Sequence, residues 1–176
     1  APAAGVLQGM LSVTAGALAA DATNVNNLAW NFNSGAQTFD YLAAGETLTL
    51  TYTVKVNDGT TDSNLQTVII TISGTNDAPV ISLQAADSAT AGLTETNSGL
   101  SANGALTAID LDLSNTVTAS VTGISVSGVT AGAPAAGVLQ GMLSVTAGAL
   151  AADATDVNNL AWNFNSGAQT FDYLAA

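Results

Sequence analysis

The first 44 residues of this chain are also its last 44: residues 1–44 return as 133–176, an offset of 132, and only Asn24 against Asp156 differs. A period of that length is too long for one unit of a solenoid and suits a whole β-sandwich domain. The chain is therefore expected to hold parts of two successive repeats of a tandem array. Residues 1–75 form the C-terminal part of one repeat and residues 76–176 the N-terminal part of the next. Both copies of the block compete for the single stretch that lies between them.

Short runs rich in Val, Ile, Thr and Leu, separated by Gly, Asn, Asp and Ser, give the pattern of antiparallel strands joined by turns. The clearest is "GETLTLTYTVKVNDG". It sets Leu48, Leu50, Tyr52, Val54 and Val56 on one face, with threonines and Lys55 on the other. "NDGTTDSN" supplies a turn and "LQTVIITIS" the returning strand, which makes a hairpin. Further strands are expected at 6–14, 28–33, 79–84, 105–110 and 116–128, while 15–23 is open between loop and helical turn. The expected fold class is all-β, with Ig-like antiparallel β-sandwich repeats in a tandem array.

Charge and composition narrow the function. Thirteen acidic residues face a single cationic side chain, Lys55, with no Arg, His or Cys, and the net charge is −12. There is no imidazole base, no thiolate and no zinc site of the usual ligands, so the chain is not expected to be an enzyme. Repulsion from phosphate leaves nucleic acid and anionic membrane surfaces as unexpected partners. The longest apolar runs, such as "TVIITI", are strand-sized, so no membrane insertion is expected. The N-terminus shows no signal-peptide pattern, so export would use another address. Without cysteine, an extracellular chain needs something other than disulfides to tie its loops.

"GTNDAPVI", residues 74–81, marks the boundary. Pro79 lacks an N–H and holds Ala78 extended, and Gly74 accepts a positive φ, so the stretch reads as a stiff joint between two modules.

The order "FDYLAAGETLTLTYTVKVNDG", "TVIITISGTNDAPVI" and "GLTETNSGLSANGALTAIDLDLSNTVTASVTG" resembles the VCBS repeat family. These are cadherin-like modules arrayed in large bacterial surface adhesins of the RTX type, exported by type I secretion. The resemblance implies Ca²⁺ at the joints between repeats. It places Asp40, Asn76, Asp77, Asp110 and Asp112 at one complete joint, Glu95 and Asp172 at the following one, and Asp58 at the preceding one. Part of the longer cadherin linker motif is missing, so one or two ions per joint are implied. Chemistry reaches a similar place, because Ca²⁺ takes oxygen ligands and turns the mutual repulsion of clustered carboxylates into attraction.

Each position also has a plainer reading. Asp58 before Gly59 is a turn signal, Asn76 and Asp77 suit an Asx-turn, Asp110 and Asp112 suit a solvated strand end, and Glu95 suits an exposed loop. Asp21, Asp62, Asp87, Asp153 and Asp156 read as surface charge. Trp30, Trp162, Tyr41 and Tyr173 recur with the repeat and read as packing residues, with a sugar-binding role as the alternative.

The expected function is a secreted or cell-surface adhesin repeat, a Ca²⁺-rigidified spacer in adhesion or biofilm formation. Its expected partners are neighbouring repeats of the same chain. One alternative is a self-assembling extracellular fibre in which identical chains donate missing strands, since a cut repeat leaves sheet edges open. The other alternative is a carbohydrate-binding module.

Overall fold

The computed structural model describes residues 1–174. The chain is all-β, with antiparallel sheets and two short helical turns, and divides into two compact units, Ala1–Asn76 and Asp77–Ala176.

The first unit opens with α1 (Ala4–Gln8), followed by β1 (Leu11–Val13) and β2 (Trp30–Phe32), which pair antiparallel with Leu11 opposite Phe32. A strand expected over 6–14 is thus a helical turn and a shorter strand. The run "VLQGML" is too short for its apolar residues to separate helix from strand. As a helical turn it half-buries Leu7 and buries Met10, three residues apart.

The hairpin β3 (Thr47–Val54) and β4 (Gln66–Ser73) forms as its alternation requires, in a register that sets Leu48 opposite Ile72, Leu50 opposite Ile70 and Tyr52 opposite Val68. Its turn is closed by short side chains. Asn57 Oδ1 accepts from the Gly59 N–H at 2.6 Å, and Asp58 Oδ1 accepts from the Thr60 and Thr61 N–H groups at 2.8 Å. Gly59 sits at φ +92°, where a side chain would be strained. The hairpin packs on the β1–β2 block: Tyr52 meets Phe32 edge-on with ring centroids 6.4 Å apart, and its hydroxyl donates to the Leu7 carbonyl at 2.7 Å.

The second unit is built on a four-stranded sheet in the order β5 (Val80–Ser82), β6 (Ser101–Ile109), β10 (Leu160–Asn165), β8 (Leu143–Val145). A helical turn, α2 (Ala136–Gln140), repeats α1, and a small ladder joins β7 (Val117–Thr118) to β9 (Ala149–Leu150). The core gathers Ala108, Val117, Leu150, Ala152 and Leu160. The strand expected over 116–128 is reduced to two residues. Alternation alone does not make a strand: backbone groups need a ladder partner, and here only Val117 and Thr118 find one.

Trp162 is half-buried over β6, with its Nε1–H donating to the Ser88 carbonyl at 2.6 Å. A Cβ on Gly104 would lie 2.6 Å from the indole, so only glycine permits this approach. Trp30, its twin, is 52 % exposed, which corrects the expectation that both tryptophans pack.

Candidate metal centre

At the end of β6 the chain turns through "AIDLDLSN" and buries two carboxylates. Asp110 is 5 % exposed and Asp112 2 %. Alternate spacing carries both to one side while Leu111, between them, faces solvent. The Asp110 N–H donates to the Ala152 carbonyl, which ties the end of β6 to the loop before β10. Asp110 Oδ1 accepts from the Asp112 N–H at 3.1 Å. Asp112 Oδ2 accepts from the Asp77 N–H and from Asn115 Nδ2, each at 2.9 Å. Asp112 Oδ1 is buried and has no hydrogen-bond partner.

The facing wall is the loop 151–159, held by Asn159. Its Oδ1 accepts from the Ala108 N–H at 2.8 Å, and its Nδ2 donates to the Ala108 carbonyl at 2.7 Å and to the Ala151 carbonyl. The Asn158 N–H adds a bond to Thr107 Oγ1 at 3.0 Å. This latch brings Asp153 and Asp156 to the rim of a cleft of 210 Å³ that Asp110, Asp112 and Asn115 also line. Within the rim, Asp156 Oδ2 accepts from the Asp153 N–H at 2.9 Å. The Thr155 hydroxyl and N–H hold the Asp153 carboxyl below the ordinary aspartate range.

A buried carboxylate without a countercharge is costly, by several kcal/mol for each ion removed from water. Residues 77–176 contain no cationic side chain, and Lys55, in the first unit, is paired with Asp62 at 2.5 Å. The donors are carboxylate, carboxamide and carbonyl oxygens, the set a hard divalent cation takes. Among the described residues no three acidic side chains close into a cluster by themselves. An ion held by Asp110 and Asp112 would therefore need Asn115, backbone carbonyls or water to complete its shell. The orphaned Asp112 oxygen is the observation that fits this set to Ca²⁺.

The remaining expected ligands have other surroundings. Asp77 is half-buried and, through its N–H, part of the cleft's bonding, and Asn76 is the exposed last residue of the first unit. Asp40 is exposed beside the Phe39–Tyr41 ring pair. Asp58 spends a carboxylate oxygen on the hairpin turn, whose N–H groups hold it below its ordinary range. Glu95 is half-buried in the loop before β6, and Asp172 is exposed, accepting from the Thr170 hydroxyl at 2.8 Å. The reading of Asp110 and Asp112 as a solvated strand end is overturned by their burial.

The sequence reading did not single out Asn115 and took Asp153 and Asp156 for surface charge, whereas all three line this cleft. A signal existed: the only position at which the two 44-residue blocks differ is the one that carries a carboxylate, Asp156, at this cleft and an amide, Asn24, in the first unit. No family model matches the chain, and no curated protein matches it. No helix among the described residues is long and apolar enough to cross a membrane.

Proposed function

We propose that the chain is a non-enzymatic repeat of a bacterial surface adhesin, a spacer in cell adhesion or biofilm formation that bound Ca²⁺ makes rigid. The observation that carries this reading is Asp112: 2 % exposed, one oxygen unpartnered, in a unit devoid of cationic side chains. Asp110 and Asp112 supply the charge, Asn115 supplies an amide oxygen, and Asp153 and Asp156 raise the local negative potential that draws a cation in.

When bound, the ion would offset the burial of both carboxylates and pin three segments together: residue 77, the end of β6 and the loop 151–159. A module tied in this way keeps its loops ordered without disulfides, which suits a secreted or cell-surface location. The resemblance to VCBS repeats supports the same reading through the "GTNDAP" and "AIDLD" stretches.

The chain offers its own reporter. Trp30→Phe leaves Trp162, in the second unit, as the only indole. Thermal unfolding followed at that indole is expected to rise by roughly 5–10 °C with saturating Ca²⁺ over chelator, the shift set by ligand linkage for a domain of this size. Asp112→Asn should abolish the rise, and Asp156→Asn should shrink it. An unchanged midpoint with and without Ca²⁺ would remove the metal from this reading.

A further inference from the structure

β6 pairs with residues that occur twice in this chain. Its ladder runs from Leu160 opposite Leu106 to Asn165 opposite Ser101, and Asn159 latches the loop before that ladder to Ala108. Residues 159–165 recur unchanged as 27–33. The first copy is shaped for the same role: Asn26 repeats the left-handed turn of Asn158, and Asn27 makes to Ala19 the bond that Asn159 makes to Ala151. Connectivity separates the two copies weakly. About 50 residues lie between β6 and β10 and about 70 between β2 and β6, which loop-closure entropy converts into less than about a twofold preference.

The two copies differ only at Asn24 and Asp156, and that position turns inward in both. Asp156 lines the cleft with Asp110, Asp112 and Asp153. In the first unit Nδ2 of Asn24 is buried and has no hydrogen-bond partner. Residues 77–176 contain no cationic side chain, so a fourth carboxylate in an ion-free cleft of 210 Å³ is repelled by the other three, and a neutral amide is the better occupant. A divalent cation reverses that order, because a carboxylate attracts it with a full charge where an amide offers only a dipole.

We infer that Asp156 is the specificity residue by which β6 distinguishes the two copies, and that the cation makes the choice: with Ca²⁺ bound β6 takes the Asp156 copy, and without it the Asn24 copy competes. This rests on the proposed Ca²⁺ site and gives that site a second task, the assignment of strands. Blocks that are interchangeable within one chain invite exchange of identical elements and misassembly. One ion-dependent contact that only the proper copy completes guards against that outcome at the cost of a single residue difference.

The chain has no cysteine, so engineered thiols can read the choice directly. Asn103 and Asn163 stand opposite each other on β6 and β10, both exposed, and Asn31 is the twin of Asn163. The full chain carrying Asn31→Cys, Asn103→Cys and Asn163→Cys is refolded from denaturant at low concentration, with Ca²⁺ or with chelator, then oxidised. Peptide mass mapping of the monomer identifies the pair joined. With Ca²⁺ the 103–163 disulfide is expected to exceed the 31–103 disulfide by at least about tenfold, the scale of a typical coupling, and chelator should lower that ratio by a similar factor. Exchanging the two residues, Asn24→Asp together with Asp156→Asn, should turn the Ca²⁺ preference toward 31–103, and each single change should move the ratio part of the way. A ratio that is the same with Ca²⁺ and with chelator, or an exchanged chain that still joins 103 to 163, overturns the inference. The unfolding midpoint of the Trp30→Phe chain, read at Trp162, separates the two failures. If it rises with Ca²⁺ while the ratio stays fixed, the ion remains and the choice is removed; if neither responds, both are removed.

Discussion

Residues 1–33 and 133–165 share a sequence but for one position, yet they keep different company. In both, an Asp caps a turn through the hydroxyl two residues on: Asp21 with Thr23, and Asp153 with Thr155, each at 2.6 Å. In both, a threonine hydroxyl brackets the strand pair, with Thr14 bonded to Ala29 and Thr146 to Ala161. Asn26 and Asn158 take the same left-handed conformation, at φ 54° and 53°. Burial, by contrast, is not shared. Leu28 is 36 % exposed and its twin Leu160 is 2 % exposed, because among the described residues β6 and the ladder of β7 and β9 lie beside the second copy. Turns and caps follow from residues a few positions apart, whereas a core follows from which strands arrive from elsewhere in the chain.

The largest test of that contrast is truncation of the twins. Leu160→Ala should destabilise the second unit by about 2–5 kcal/mol, since it empties a packed site, while Leu28→Ala should cost less than about 1 kcal/mol at its half-open counterpart. Denaturant unfolding read at Trp162 and at Trp30, each as sole indole, separates the two. Equal costs would mean that the blocks are equivalently packed in solution.

The next contrast lies in the latch. Asn159 bonds both backbone groups of Ala108 as well as the Ala151 carbonyl, whereas Asn27 keeps only the local bond, to Ala19. Asn159→Ala is expected to cost about 1–3 kcal/mol through the buried groups of Ala108 left unpaired. Asn27→Ala should cost clearly less, and hydrogen exchange at the Ala108 amide reports the difference directly.

The smallest effect should be symmetric. Thr23 and Thr155, through hydroxyl and N–H, hold Asp21 and Asp153 below the ordinary aspartate value of about 3.9. A depressed carboxyl contributes stability that is complete above that value and is lost as pH falls through the lowered one. Both aspartates should titrate together when followed by NMR at their side-chain carbons, because the cause is local in both copies. A marked difference would show that the cleft around Asp153 reaches its charge.

The β3–β4 hairpin was legible almost residue by residue, because a strict alternation and an Asn-Asp-Gly turn specify both face and register. That Asp110 and Asp112 fall on one side was legible in their alternate spacing, although their depth was not. Asn115 and Asp156 were not legible as cleft residues. Asp156 reaches the cleft only because Asn159, from a loop more than 40 residues along the chain, grips Ala108.

Sequence alone determined the repeat, the alternating faces and the local caps, since each depends on the order of neighbouring residues and on backbone sterics. Tertiary structure decided which copy of an identical strand has a core, which tryptophan is covered, and where two carboxylates lose their water. Those outcomes depend on the arrival of β6 and the Asn159 loop, and burial is a property of what surrounds a residue.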